Sequence, residues 1–204
     1  MPDSIAIQSH KGTYEARFTP NLLTDPSLLL KGEPHFIIDS NIARLYSQQL
    51  RSVLLHQNVI LVDATEQNKS LESASRIITQ LVAQKTLRNH HLVAIGGGII
   101  QDLVCFIAST LLRGVSWQLV PTTLLAQADS CIGSKSSINV GDAKNIVGTF
   151  YPPTKIFIDQ NFLRTLHQSE IRSGIGEILK VHAIDSAESF NRVATSLDAI
   201  TNDL

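Results

Sequence analysis

Val93-Ala94-Ile95-Gly96-Gly97-Gly98-Ile99-Ile100-Gln101-Asp102 runs an apolar strand pattern into three consecutive glycines and out into a helical pattern. The physics of such a turn suits phosphate. Glycines let backbone N–H groups approach a pyrophosphate closely, and the helix that follows brings its positive dipole end to the same point. The pattern is neither Gly-x-Gly-x-x-Gly nor a Walker loop. A glycine-rich strand-to-helix turn needed only for tight packing therefore stays open beside the phosphate reading.

The same unit, a short apolar run followed by helical periodicity, repeats on both sides of this stretch. Upstream it reads His35-Phe36-Ile37-Ile38-Asp39 into residues 42–55, then Val59-Ile60-Leu61-Val62-Asp63 into residues 71–87, where Ala74, Ile77, Ile78, Leu81 and Val82 recur at spacings of three and four. The glycine unit predicts a helix over residues 102–112. Downstream, Trp117-Gln118-Leu119-Val120 precedes Pro121, and Lys155-Ile156-Phe157-Ile158-Asp159 is the last strand candidate. Fully apolar strands alternating with helices predict a parallel sheet covered on both faces, a Rossmann-like α/β architecture. Ile5-Ala6-Ile7 and Tyr14-Glu15-Ala16-Arg17-Phe18 flank His10-Lys11-Gly12 and predict an N-terminal β-hairpin at the border of that sheet. Beyond residue 160 only helical patterns follow, over 166–181 and 187–200. The expected organisation is an α/β nucleotide-binding domain over 1–160 and the start of a mainly α-helical domain over 161–204.

At 204 residues with 43% hydrophobic and 17% charged residues, the chain has enough apolar material for a core and is not of disordered composition. Seventeen basic against eighteen acidic side chains give a net charge of −1, which offers no basic excess for nucleic acid or an anionic membrane. Any anion must be met locally. Cys105 and Cys131 lack Cys-x-x-Cys spacing, so they build neither a disulfide framework nor a four-thiolate zinc site and are expected to be packed thiols. The N-terminus lacks a basic n-region and an apolar h-region, and no apolar run reaches about 18 residues, so a soluble, unprocessed protein is expected, and the cysteine usage fits a reducing cytoplasm.

Several polar groups fall where such an architecture places ligands. Asp39 ends the first apolar run and Glu66 follows the second beside Lys69; strand-end carboxylates can bind ribose hydroxyls, or can equally be helix caps and solvated charges. Thr122 and Thr123 sit at a strand-to-helix junction, with Asp129 about two turns on. Lys135, Asn139, Lys144 and Asn145 crowd a stretch punctuated by Gly133, Gly141 and Gly148, which reads as a Gly-rich loop able to hold a polyhydroxylated, phosphorylated small molecule. Glu177 and Lys180 share one helix face near Gly174 and Gly176. A surface ion pair would explain the charges, but two glycines inside a helix cost about 1 kcal/mol each unless something approaches closely.

Taken jointly, these segments resemble the 3-dehydroquinate synthase family of sugar-phosphate cyclases. The run from Gly96 to Asp102, Arg113-Gly114, residues 121–130, Gly133-Ser134-Lys135, Lys144-Asn145, Phe162-Leu163-Arg164-Thr165-Leu166 and residues 172–180 occur in the family's order. Glu66-Gln67-Asn68-Lys69-Ser70-Leu71-Glu72 is similar to its Glu-x-x-Lys-Ser-Leu-Glu segment, so the resemblance covers residues 35–185. It implies an enzyme dependent on NAD and a divalent metal, zinc or cobalt. Such an enzyme converts 3-deoxy-D-arabino-heptulosonate 7-phosphate to 3-dehydroquinate and phosphate, the second step of the shikimate pathway to aromatic amino acids. NAD oxidises a ring hydroxyl transiently, phosphate leaves with the substrate's own phosphate as base, the hydride returns and the ring recloses.

By the same resemblance, Asp39, Glu66, Lys69, Gly97, Gly98, Asp102, Thr122, Thr123, Lys144, Phe162 and Thr165 would line the NAD site. Asp129, Lys135, Asn145 and Lys180 would hold the phosphorylated sugar acid, and Arg113 would reach the phosphate of a neighbouring subunit's substrate, which implies a homodimer. Glu177 would be one metal ligand. Gln101 stands where the family has a glycine, Ser134 replaces a second glycine before lysine and Cys105 a small residue. These departures keep sister cyclases of sedoheptulose 7-phosphate or glucose 6-phosphate open as alternatives, with an NAD-dependent polyol dehydrogenase of the same fold and a non-catalytic nucleotide-binding module behind them. The family's two histidine ligands lie further downstream than Leu204, and His182, about 140° around the helix from Glu177, cannot replace them. The remaining histidines, 10, 35, 56, 90, 91 and 167, read as surface or loop residues. The expectation is an N-terminal portion that keeps the NAD site and lacks most metal binding and turnover.

Overall fold

The structure, a computed structural model, describes residues 4–197. Its centre is a seven-stranded sheet in the order β1-β2-β9-β6-β5-β3-β4. Strands β1 (Ser4–Ser9) and β2 (Gly12–Phe18) form the antiparallel hairpin at one border, turning at Gly12 with φ +107°. All other pairings are parallel, through β3 (Pro34–Asp39), β4 (Val59–Val62), β5 (His91–Gly96), β6 (Ser116–Pro121) and β9 (Lys155–Ile158). The chain first turns from β3 outward to β4 and then returns past β3 to β5, so the order reverses between β3 and β5. In an open parallel sheet that reversal leaves a crevice at the carboxyl ends of the strands.

Alternation of side chains along the central strands supplies two cores. Ile37, Leu92, Ala94, Leu119 and Ile156 point to one face, where helices α3 (Leu71–Ala83) and α4 (Gly98–Thr110) cover them. Phe36, Ile38, Val93, Ile95, Val120 and Phe157 point to the other, beneath α1 (Ser40–Leu45) and α2 (Arg51–Leu54). Burying each such large side chain contributes about 1.5–3 kcal/mol, so the glycine turn emerges from a rigid platform. A small third cluster of Leu124, Leu163 and Ile171 anchors α5 (Gln168–Asp185), which is followed by α6 (Ala187–Ala194). The part of the last expected helix beyond residue 197 lies outside the described residues. No described helix is long and apolar enough to cross a membrane.

Several expected boundaries shift for local reasons. The helix expected over 42–55 is interrupted between α1 and α2, although Ile42, Tyr46, Leu50 and Val53 still face the core. Helix α3 stops at Ala83 instead of 87 because Lys85 turns left-handed, at φ +56°, and the Thr86 N–H closes back on the Leu81 carbonyl at 3.1 Å. Helix α4 begins at Gly98, four residues before the expected start, so the glycine turn is itself the helix N-terminus. The expected Gly-rich loop contains an antiparallel hairpin, β7 (Ile138–Val140) and β8 (Ala143–Val147), turning at Gly141-Asp142 outside the main sheet.

His35 also departs from a surface role, being 0% exposed on β3. Its Nδ1 lies 3.0 Å from Gln84 Oε1, and its Nε2 lies 3.0 Å from Nδ1 of His90, on which the ring stacks. Burial pushes the His35 imidazole below the ordinary histidine value; the Gln84 bond opposes this, and the neighbouring His90 and His56 add to it. Burial lowers His91 likewise, helped by His35 and His90, with Glu33 opposing. The unfolded chain therefore binds protons at these rings at a pH where the folded chain does not. Their contribution is complete above about pH 6.5 and is lost as the pH falls toward the depressed folded values. The denaturation midpoint is expected to drop on acidification from about pH 7 to pH 5, and His35→Gln, which cannot titrate, should flatten that drop. Equal pH dependence in native and variant chains would contradict this.

Candidate functional site

At the carboxyl ends of β3, β5 and β6 the glycine turn separates its two readings residue by residue. A Cβ on Gly96 would fall 2.5 Å from Ile100 Cγ1, and one on Gly97 would fall 2.8 Å from Thr123 Cγ2, so packing alone requires these two. At Gly98 a Cβ would meet nothing within 4 Å among the described residues, and this backbone opens on a cleft. Gly97 is the N-cap of α4 and provides no side chain to satisfy the first N–H groups of the helix. Those groups and the helix dipole favour an anion at this point. Beside them Thr122 is 1% exposed, with Oγ1 unpartnered among the described residues and its own N–H on the Gly96 carbonyl at 3.1 Å. A buried hydroxyl without a partner is rare and suits a ligand group.

One wall of the cleft is built around Lys69, which is 9% exposed. Its ammonium lies 3.6 Å from Glu66 Oε1 and 3.5 Å from Asp102 Oδ2 and donates to Asn145 Oδ1 at 2.7 Å. Asp102 accepts from the Ser137 N–H at 3.2 Å and the Ser137 hydroxyl at 3.3 Å. Asn139, buried on β7, donates to Glu66 Oε1 at 2.9 Å and accepts from the Asn145 N–H at 2.8 Å. Burial raises the Asp102 carboxyl above its ordinary range, against the pull of Lys69 and Ser137. The Asn139 hydrogen bond holds Glu66 below its own range, with Lys69 and Lys144 adding to the effect.

The opposite wall is a π-helical turn, Ala126–Ser130, and the start of α5. Asp129 is raised by burial and by Glu177, while Lys180 pulls it down. Glu177 pairs with Lys180 on α5, and that pair lowers the Glu177 carboxyl. Of the two helix glycines, Gly174 is needed for packing, since its Cβ would fall 2.6 Å from Leu124 Cγ, whereas Gly176 meets nothing within 4 Å among the described residues. His182 bonds Ser189 Oγ at 2.7 Å. Both cysteines are packed thiols, with burial pushing Cys105 up to about 11 and Cys131 up to about 12.

The cleft, about 840 Å³, gathers Glu66, Lys69, Gly98, Asp102, Thr123, Asp129 and Lys135 from separate stretches of the sequence. Asn145 stands directly behind Lys69, and Gly97 and Thr122 lie under the turn. The other expected residues lie outside the cleft lining. Asp39 caps α1 by accepting the Asn41 N–H at 2.9 Å, and its carboxyl is raised by burial and by the nearby Asp63 and Glu170. Lys144 is exposed on β8, and the Phe162 ring is a core group set edge-on to Tyr46 at 5.1 Å. The Thr165 hydroxyl bonds the Tyr46 hydroxyl at 3.0 Å. Arg113 is exposed in a left-handed loop, with φ +51° at Leu112, +65° at Arg113 and +119° at Gly114.

Sequence reasoning missed Ser130, Ser137, Ser169, Glu170 and Ser173 as cleft residues. For Ser137 a signal existed: Ile138-Asn139-Val140 and Ala143 flank Gly141-Asp142, a two-residue hairpin turn. A dinucleotide fits the open glycine backbone, the helix end and the orphan Thr122 hydroxyl. A catalytic metal does not fit the described residues by themselves, since among them no three His, Cys, Asp or Glu side chains come together.

Removing Lys69 leaves the partly buried Asp102 carboxylate without its counter-charge. Lys69→Met is expected to cost about 2–4 kcal/mol in denaturant unfolding, and adding Asp102→Asn should recover part of that loss. Additive losses in the double variant would contradict the coupling.

A family profile described as 3-dehydroquinate synthase N-terminal matches residues 59–173. A 3-dehydroquinate synthase of Enterococcus faecalis is 42% identical over 163 residues, 78% of this chain and 46% of the relative. One of Xylella fastidiosa is 38% identical over 197 residues, 92% of this chain and 50% of the relative. The chain thus spans about half the length of the curated relatives it matches. The structure of 2-epi-5-epi-valiolone synthase from Streptomyces hygroscopicus, solved with NAD+ and Zn2+ bound, aligns at TM-score 0.74 and 33% identity over 83% of this chain and 49% of that one. A glycerol dehydrogenase from Schizosaccharomyces pombe shares the fold, at TM-score 0.60 and 21% identity over 81% of this chain and 42% of that one. On the matched profile and these identities, the chain belongs to the 3-dehydroquinate synthase family.

Proposed function

We propose that this chain is the NAD-binding half of a cyclase that converts 3-deoxy-D-arabino-heptulosonate 7-phosphate to 3-dehydroquinate and phosphate. The observation that carries the reading is the single cleft with two chemically different walls. On one, the open Gly98 backbone at the α4 N-terminus and the orphan Thr122 hydroxyl suit a pyrophosphate. Glu66, held ionised beside Asn139 and Lys69, suits a ribose hydroxyl on the same side, with Asp39 at the neighbouring strand end. On the other, Asp129 and Lys135 face the same space and suit the hydroxyls and phosphate of a sugar acid, with Lys180 close to Asp129.

NAD held in this way would supply a reversible acceptor for the hydride on the carbon that bears a ring hydroxyl, the hydroxyl proton leaving separately. The chain's own groups bind and orient. Lys69 keeps Asp102 and Glu66 in place and holds the Asn145 side chain behind it. Arg113, exposed in its left-handed loop, would serve the substrate phosphate of a second copy. Glu177 would give zinc or cobalt one carboxylate ligand, whereas a catalytic zinc normally takes three protein ligands.

A sister cyclase acting on sedoheptulose 7-phosphate or glucose 6-phosphate is the second reading, since the chain is also 33% identical to a 2-epi-5-epi-valiolone synthase. Calorimetric titration of NAD into the 204-residue chain, followed by phosphate-release assays with zinc and each sugar phosphate, tests both. Saturable one-to-one NAD binding without phosphate release by the chain is expected. Absence of binding would overturn the reading, phosphate release from sedoheptulose 7-phosphate or glucose 6-phosphate alone would favour the sister cyclase, and net NADH formation from glycerol would favour a dehydrogenase.

A further inference from the structure

One buried polar side chain in the cleft lining has no part in the reading above. Gln101, in the first turn of α4, is 8% exposed, and both ends of its amide are spent on a single residue. Its Nε2–H donates to the Ser130 carbonyl at 2.5 Å, and its Oε1 accepts from the Ser130 hydroxyl at 3.1 Å. Ser130 is the last residue of the π turn, whose wide ring is closed by the Cys131 N–H on the Ala126 carbonyl at 3.0 Å. Such turns are rare because they hold one more residue than an α-turn, and they persist where surrounding bonds enforce them. The other end is also held by a glutamine: Gln127 Nε2 donates to the Pro121 carbonyl at 3.0 Å and the Asp159 carbonyl at 2.9 Å. Between these two anchors lies Asp129, on the cleft wall beside Glu177 and Lys180.

We infer that Gln101 is a positioning residue that keeps the π turn wound and so fixes where Asp129 stands, tying the wall that carries Asp129 to the helix that begins at the glycine turn. Neither a glycine nor an apolar side chain at 101 could make either bond. The functional meaning rests on the cleft being the cofactor and substrate site, while the tie itself does not.

The test compares Gln101→Met, which keeps length and apolar packing, with Gln101→Glu. A protonated glutamic acid can donate to the Ser130 carbonyl and accept from its hydroxyl as the amide does. The carboxylate would instead face that carbonyl with a negative charge. The measurement is hydrogen exchange at the Cys131 amide, taken as a ratio to the β5 amides of Val93 and Ile95 so that changes in global stability cancel. In Gln101→Met this ratio is expected to rise about tenfold or more at every pH, as loss of about 1.4 kcal/mol of local hydrogen bonding requires. In Gln101→Glu it should match Gln101→Met at neutral pH and return toward the native ratio near about pH 5 or below, since burial favours the neutral acid. An unchanged ratio in Gln101→Met, or a glutamate variant that shows no recovery in acid, would overturn the tie. NAD titration of the native chain stands apart, because its failure would remove the cofactor reading and leave the exchange result intact.

Discussion

The ammonium of Lys69 is the point at which three otherwise separate pieces of chain meet. It pairs with Glu66 in its own turn and with Asp102 on α4, and it donates to Asn145 on β8. The hairpin β7–β8 belongs to no larger sheet, and an isolated two-stranded hairpin is marginal in water. It is held by Ile138 in the core, by Asn139 on Glu66 and by Ser137 on Asp102, all around this one cation. A residue at Gly148 with any side chain would run into the Ser136 carbonyl, which shows how closely the returning strand is drawn in. The cleft wall is therefore a consequence of one nearly buried charge and the carboxylates that compensate it.

How far the sequence could lead is visible in particular residues. The order of apolar runs gave the parallel sheet and its bordering hairpin because side chains buried on both faces leave an uninterrupted hydrophobic record. The glycine turn was legible for the same reason: strand, glycines and helix each have their own pattern. Hairpin β7–β8 was not, because its useful side chains are polar and its strands are short, with Asn145 itself left-handed at φ +56°. His35 defeats a reading based on residue type, since its burial depends on Gln84 and His90, which lie far along the chain. Gln101 reads as a departure from the family motif. Its partner Ser130 is 29 residues away, across a π turn that no periodicity announces.

The distribution of charge explains how a chain of net charge −1 can present a site for anions. The positive features are local and directional: a helix N-terminus without a capping side chain, and Lys69 and Lys135 on the cleft lining. The carboxylates divide by environment. Glu66 is drawn down by hydrogen bonds, whereas Asp39, Asp102 and Asp129 are raised by burial. Both thiols are buried and neither lines the cleft, and burial pushes them away from the reactive thiolate form. What remains, in a chain of the 3-dehydroquinate synthase family, is a cleft that sets an uncapped helix end and two lysines among carboxylates of unlike environment.

The most direct measurement is a residue-resolved NMR titration of the chain with NAD, following backbone amides. The account expects saturable shifts centred on Gly97, Gly98, Thr122 and Thr123, extending to Glu66 and Lys69 along the same wall. Shifts confined to the β1–β2 border or to α6, or no saturable shift at the glycine turn, would contradict it.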